Sequence, residues 1–187
     1  MMGDIFSMSA RVKSNIEKAV KMIEACRECA RILPEVGTNI AMALPNAKTL
    51  EDVAGLTGRI IRVENRAVGV GEPKFGATRF MGAVLLTAIR HNPKFRAAIN
   101  IKYSSQIIKI CEELGMETKT YEWKEKPKEA IEMKCTIPYT IDTLQRVSEV
   151  VYDLGDVGVE ALVIIFGHTA IDVARKVIKI AKRYAKK

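Results

Sequence analysis

Three short segments of this chain carry residue types that can handle a phosphorylated ligand. The first is Gly69-Val-Gly-Glu-Pro-Lys-Phe-Gly-Ala-Thr-Arg79. Glycines let the backbone approach a ligand closely. The free N–H groups of a helix start, at the positive end of its dipole, attract anions. Gly76, Ala77 and Thr78 would offer those N–H groups, and Lys74 and Arg79 add fixed positive charge. The spacing matches neither the Walker loop nor the dinucleotide fingerprint, and the same residues also suit a plain β-turn and helix cap.

The second segment is Tyr152-Asp-Leu-Gly-Asp-Val-Gly-Val-Glu160. Asp153 and Asp156 could hold Mg²⁺ in a site completed by substrate phosphate oxygens. The alternative is a polar turn whose aspartates bond their own backbone. The third is Pro34-Glu-Val-Gly-Thr-Asn39, where a helix gives way to a strand. Glu35 and Asn39 could bond a ligand, or the segment is only a connection with Gly37 at positive φ.

Other chemistries find less support. His91 falls at a helix C-terminus and His168 at a helix start, and either could move a proton. Cys26 and Cys29 form a C-x-x-C inside a helical stretch, far from Cys111 and Cys135. Zinc or thiol redox chemistry is not expected from that arrangement. No G-x-S-x-G occurs, and no serine triad is suggested.

Regular elements must position these segments. The spacing of Val12, Ile16, Val20 and Ile23 predicts one helix over Ser9–Leu33, with Ser9 as N-cap and Pro34 as its end. Thr38–Leu44 alternates as a strand. Gly58–Val63 and Ala67–Val70 read as a hairpin around Glu64, Asn65 and Arg66. A helix runs from about Thr78 to Arg90, closed by Asn92-Pro93. Ala98–Tyr103 reads as a strand, and Ser104–Leu114 as a helix with Gly115 after it. Glu117–Trp123 alternates as a strand, before a charged loop at Lys124–Lys128. Ile141–Glu149 reads as a helix, Val150–Asp153 as a strand end and Leu154–Gly158 as a loop. Ala161–Phe166 is a continuous apolar run, as in a buried strand. Thr169 caps the last helix with Asp172 as capping-box partner. Helices interspersed with strands predict a layered α/β fold, and the hairpin makes the sheet mixed.

Composition narrows the classes. The chain has 187 residues, enough for a single domain over 1–187. Its 48% apolar and 28% charged residues are ordinary for a globular protein. No apolar run spans a membrane and no cationic leader precedes one, so a cytoplasmic location is expected. Only two glutamines occur, Gln106 and Gln145, as in thermophile compositions. The net charge is +8, but seven basic residues lie in 175–187 with no acidic one. The rest carries 23 basic against 22 acidic residues. That last helix has an apolar stripe and a basic face expected to be solvated. Nucleic acid and membrane are therefore not expected partners, and small phosphorylated ligands are.

Several blocks, in order, carry a resemblance to a known family. They are Pro34-Glu-Val-Gly-Thr-Asn-Ile-Ala-Met-Ala-Leu-Pro45, Asp52-Val-Ala, Gly58-Arg59-Ile, Val70-Gly-Glu-Pro-Lys-Phe-Gly-Ala77, Arg90-His-Asn-Pro93, Asn100-Ile-Lys-Tyr103 and Tyr152-Asp-Leu-Gly-Asp-Val-Gly158. Together they resemble the ThiN domain from about Arg11 to Ile180. The resemblance implies a three-layer α/β/α fold with a mixed, mainly antiparallel sheet, related to class II aldolases of the AraD type. It implies thiamine-phosphate synthase activity on a hydroxymethylpyrimidine diphosphate and a hydroxyethylthiazole phosphate, with Mg²⁺ and release of pyrophosphate. Arg59, Lys74 and Arg79 are the anion ligands expected on this basis, and His91 the acid/base. Glu35, Gly37, Asn39, Asn100, Gly155 and Gly158 are expected substrate contacts, and Asp153 or Asp156 a metal or pyrimidine contact. Such domains are usually fused behind a hydroxymethylpyrimidine (phosphate) kinase, so an upstream kinase domain is an expected partner, as is a second copy of the chain. The alternative implied function is a non-catalytic thiamine-phosphate sensor of a transcription regulator.

Overall fold

The computed structural model describes residues 2–120, 128 and 136–186. Its centre is a seven-stranded sheet, joined by strands β1 (Ile40–Ala43), β2 (Val53–Leu56), β5 (Pro73–Phe75), β6 (Ala97–Lys102), β7 (Thr118–Lys119), β8 (Val150–Asp153) and β9 (Leu162–Gly167). The spatial order is β5-β2-β1-β6-β9-β8-β7. Every neighbouring pair is antiparallel except β7 with β8. Strands β3 (Ile60–Val63) and β4 (Arg66–Gly69) form a separate two-stranded ribbon. The expected mixed, mainly antiparallel sheet is what forms.

Side-chain alternation along the strands builds two cores. Ile40 and Met42 of β1, with Ile99 and Ile101 of β6, face one layer of helices. That layer contains α1 (Met2–Glu24), α3 (Ser105–Glu113) and α5 (Ala170–Tyr184), which contribute Ile16, Ile107 and Val177. Ala41 and Ala43, with Ala98, Ile164 and Phe166, face the other layer. There α2 (Arg79–His91) supplies Met81 and Leu85, and α4 (Ile137–Leu144) supplies Ile137 and Ile141. Each fully buried large side chain stabilises by roughly 1.5–3 kcal/mol. Because both faces are covered, β1 is buried at every position. The helix–sheet–helix layering agrees with the expected three layers.

Several elements differ from expectation for physical reasons. The first helix begins at Met2, so Ser9 lies inside it and is no cap. It ends at Glu24, and Cys26 takes an extended backbone before a 3₁₀ turn over Arg27–Ile32. That break turns Cys29, Ala30 and Ile32 into the core. Strands β2 and β5 have only four and three residues, too few for a periodic signal. Glycine is required at position 55 of β2, because a Cβ there would lie 2.4 Å from Thr78 Cγ2. Helix α4 starts at Ile137 and stops when Gln145 enters the left-handed region (φ 50°), so residues 146–149 are not helical as predicted. Residues 121–123 of the predicted strand Glu117–Trp123, and 124–127 of the predicted charged loop, lie outside the described residues.

Local turn and cap chemistry matches the sequence more closely. Glu64 and Asn65 make a two-residue hairpin loop. Thr78, Ser104 and Thr169 each accept a hydrogen bond from the backbone three residues on, as N-caps do. The Asp172 carboxylate reaches one residue further than a capping box, to the His168 N–H. On the last helix Lys176 is not solvated: its side chain is 18% exposed and bonds Glu149, Asp172 and the Phe166 carbonyl.

A short 3₁₀ turn, Leu50–Asp52, leads into β2 through a reciprocal Thr49–Asp52 capping box. The N–H groups of Lys48 and then Thr49 hold the Asp52 carboxyl below the usual carboxylate range. Asp52→Asn should therefore lower stability at pH 7 by about 0.5–1 kcal/mol, read by thermal unfolding. A depressed folded-state pKa contributes stability above the unfolded pKa of about 4, and that contribution is lost as pH falls through the folded value. The gap between wild type and variant should narrow as the solution is acidified past the unfolded value; a constant gap from neutral to acid pH would contradict the assignment.

Candidate active site

The site begins where β1 and β6 run side by side. Asn39 immediately precedes β1, and Asn100 lies within β6, on the faces that look towards α2. The Asn100 carboxamide clamps the backbone beside it. Its Oδ1 accepts from the Asn39 N–H at 2.6 Å, and its Nδ2 donates to the Gly37 carbonyl at 3.1 Å. Asn39 Nδ2 in turn donates to Thr78 Oγ1 at 3.0 Å. The same hydroxyl oxygen accepts from the Met81 N–H as the cap of α2. One chain of side-chain bonds thus ties strand, neighbouring strand and helix start together. Asn39 is only 8% exposed, and its Oδ1 has no hydrogen-bond partner among the described residues.

A wall stands on this clamp. Gly37 adopts φ +80°, and a Cβ there would press on the Arg59 side chain at 3.1 Å. Arg59, just before β3, donates from Nη1 to the Val36 carbonyl at 2.6 Å. From the opposite side, Glu160 accepts from the N–H groups of Glu35 and Val36 at 2.8 and 3.0 Å. These residues enclose a cavity of about 330 Å³ lined by Val36, Asn39, Arg59, Phe80, Asn100, Gly158, Val159, Glu160 and Leu162. Its size lies within the range of small-molecule sites. It combines a cation and an aromatic ring, and the unmet Asn39 Oδ1 is buried behind its wall. A second cavity of about 570 Å³ lies against the same segment, with Glu35, Gly37, Arg62, Lys102, Tyr103 and Glu160 in its wall.

The expected site residues divide between places. Asn39, Arg59, Asn100 and Gly158 meet at the first cavity, and Glu35 and Gly37 border the second. Lys74 sits exposed on the edge strand β5, and Arg79 is exposed at the first position of α2. Neither lines the first cavity, whereas Phe80, at the second helical position, does. The Gly76 N–H is already used, donating to the Val53 carbonyl, and the Glu51 carboxylate lies against Gly76. It is therefore not an open anion donor. Ala77 is half-buried between that turn and the Thr78 cap. Gly155 (φ +76°) makes a tight turn where a Cβ would strike the Val159 carbonyl at 2.5 Å.

His91 is set apart. It ends α2, whose 13 residues span about 20 Å at 1.5 Å per residue. Its Nε2 lies 2.8 Å from Asp142 Oδ1, and Arg90 bonds the same carboxylate. The structure does not bring it to the cavity. The expected metal ligands are also occupied. Asp153 accepts from Thr136 N–H and hydroxyl on one oxygen and from the Gly155 N–H on the other. Asp156 Oδ1 accepts from the Val157 N–H. No group of three or more His, Cys, Asp or Glu among the described residues could hold a metal ion. Among the described residues, Asp153 and Asp156 thus spend their carboxylates on holding the local turn.

Sequence reasoning missed Val36, Phe80, Val159, Glu160 and Leu162 as lining residues of this cavity. Apolar residues carry no chemical signal alone. The signal of Glu160 depends on backbone groups more than 120 positions away. Cys26, Cys29 and Cys111 are buried, Cys26 at the extended break and not inside a helix as expected, and burial pushes the Cys111 thiol up to about 12; Cys135 lies outside the described residues.

The clamp makes a direct prediction. Asn100 is 2% exposed, and Asn100→Leu leaves the Asn39 N–H and Gly37 carbonyl buried without partners. The loss should be roughly 2–5 kcal/mol in urea unfolding. A change below about 0.5 kcal/mol, as for an ordinary surface substitution, would contradict the clamp.

Comparison with known proteins agrees with this architecture. Residues 15–179 match the model of the family described as thiamine-phosphate synthase ThiN. The curated thiamine-phosphate synthase ThiN of Methanothermobacter thermautotrophicus is 33% identical over 175 residues, spanning 91% of this chain and 92% of that protein. The bifunctional thiamine biosynthesis protein ThiDN of Methanocaldococcus jannaschii is 34% identical over 177 residues, covering 93% of this chain but 41% of that protein. A solved C-terminal domain of a phosphomethylpyrimidine kinase superposes with a TM-score of 0.78 at 34% identity, covering 94% of this chain and 98% of that one. A sugar-phosphate aldolase from Thermotoga maritima shares the fold at 12% identity and a TM-score of 0.50, covering 94% and 95%. The chain belongs to the thiamine-phosphate synthase ThiN family.

Proposed function

We propose that this chain joins a hydroxymethylpyrimidine diphosphate to a hydroxyethylthiazole phosphate, forming thiamine phosphate and pyrophosphate, at the cavity between Arg59, Asn39 and Phe80. The observation that carries this reading is the convergence of Asn39, Arg59, Asn100 and Gly158 on one cavity in a chain of this family. In the reaction the bond between the pyrimidine methylene carbon and diphosphate oxygen breaks, with its electron pair leaving on oxygen. The lone pair of the thiazole nitrogen then forms the new carbon–nitrogen bond. No protein nucleophile is needed, so catalysis consists of positioning and charge stabilisation.

The residues suit those tasks. Arg59 spends one N–H on Val36 and keeps further donors for a leaving diphosphate. The Phe80 ring offers a face for a heteroaromatic ligand. We assign the unmet Asn39 Oδ1 to the exocyclic amino group of the pyrimidine, which supplies the donor it lacks. Lys74 and Arg79, outside the cavity, add positive charge near the first turn of α2. Magnesium supplies charge neutralisation to diphosphates generally, and here we propose that it arrives on the substrate, since Asp153 and Asp156 are engaged elsewhere. Association with a kinase domain, in keeping with the likeness to the C-terminal domain of a phosphomethylpyrimidine kinase, belongs to the same proposal, as does a homodimer. No helix among the described residues is long and apolar enough to cross a membrane.

Supplying both substrates and Mg²⁺ should yield thiamine phosphate, and Arg59→Ala should lower kcat/KM by about 10²-fold. Tight binding of thiamine phosphate with no turnover would overturn the synthase reading in favour of a sensor. Thiamine phosphate should also bind at least about tenfold more tightly than its analogue with a 4-oxo group in place of the amine. Equal affinities would remove Asn39 Oδ1 from recognition.

A further inference from the structure

We propose that Glu160 is a positioning residue that sets Arg59 through the backbone of Val36. This rests on the reading of the cavity as the synthase site. The chain of bonds is continuous: the Glu160 carboxylate accepts from the Val36 N–H at 3.0 Å, and the Val36 carbonyl accepts from Arg59 Nη1 at 2.6 Å. The second carboxylate oxygen takes the Glu35 N–H at 2.8 Å, so the carboxylate grips two successive amides and fixes how that stretch of backbone is turned. Val36 is exposed, and Gly37 after it lies in the left-handed region, where no side chain restrains it. Without the carboxylate, this stretch loses its hold on the side facing Glu160.

Glu160 is itself placed by the loop before it. The backbones of Asp156 and Val159 bond each other in both directions, closing a tight turn around Val157, which is 99% exposed. Gly155, just before this turn, and Gly158, inside it, both take positive φ. Just beyond it, the Ala161 carbonyl accepts from the Tyr103 N–H at the end of β6. The loop thus leaves its tip in solvent while pinning Glu160 between β6 and the Glu35–Gly37 wall. The turn contributes a carboxylate to hold the wall, and the wall holds the guanidinium.

A residue acting through Arg59 must lose its effect when Arg59 is absent, whereas an independent contact or a general structural role adds its effect in either background. The test is a double-mutant cycle of Glu160→Gln and Arg59→Ala on thiamine-phosphate affinity, with kcat and KM measured alongside. Glutamine keeps the size but presents one N–H group to an N–H group. Glu160→Gln should weaken binding about tenfold in the wild-type background and by less than about twofold in the Arg59→Ala background. Equal fold-losses in both backgrounds would overturn the proposal. A crystal structure of Glu160→Ala separates this outcome from failure of the synthase reading. The Arg59–Val36 bond should be broken there whatever the ligand, and its retention would overturn the relay even in an active enzyme. If the alanine variant does not fold, the same structural comparison is made with Glu160→Gln.

Discussion

The carboxamide of Asn100 is the constraint on which the rest of the site depends. It sits inside β6, almost fully buried, and bonds both the Asn39 N–H and the Gly37 carbonyl. A polar side chain in such a place is tolerated only because both its ends are satisfied. In return it dictates the path of the backbone that enters β1. Asn39 is then oriented with its amide nitrogen on Thr78 and its oxygen unmet. The helix start at Thr78 is fixed by the same hydroxyl, and the close approach at Gly55 lets that helix end sit down on the sheet.

From this clamp the site is built outward in layers of decreasing burial. Asn100 and Asn39 are buried, Phe80 is half-buried, and Arg59 is exposed. The innermost groups make no net change of charge and serve as rigid polar geometry. The outer groups carry the charge that a diphosphate needs. Rigid inner groups and reachable outer cations suit a reaction whose demand is alignment of two ligands and stabilisation of a leaving anion. The sheet end also explains why residues from five separated segments meet: β1 and β6 are neighbours, β9 follows beside β6, the ribbon of β3 bridges to Thr38 through Ile60, and Thr78 ties the start of α2 to Asn39.

What was legible in the sequence was local. The caps at Thr78, Ser104 and Thr169 and the two-residue turn at Glu64 and Asn65 are written in neighbouring residues, and they formed within one or two positions. The break at Cys26, the end of α4 at Gln145 and the short strands β2 and β5 depend on distant packing, which periodicity does not carry. The site shows the same division. Asn39, Arg59, Asn100 and Gly158 were visible because they lie in ordered blocks resembling the ThiN family, yet that signal also included His91, which lies at the far end of α2. The glycine-rich helix start was read for its N–H groups, but the Gly76 N–H serves the sheet instead. Glu160 stood in a segment noted for its aspartates, and only the fold shows the backbone it holds.

Whether ligand chemistry takes place at the cavity between Arg59, Asn39 and Phe80 is tested most directly by a crystal structure of this chain with thiamine phosphate. The pyrimidine amino group should lie within hydrogen-bond distance of Asn39 Oδ1 and the aromatic rings beside Phe80, with Arg59 at the face left by the diphosphate. Thiamine phosphate bound instead beside His91 and Asp142, at the other end of α2, would contradict it.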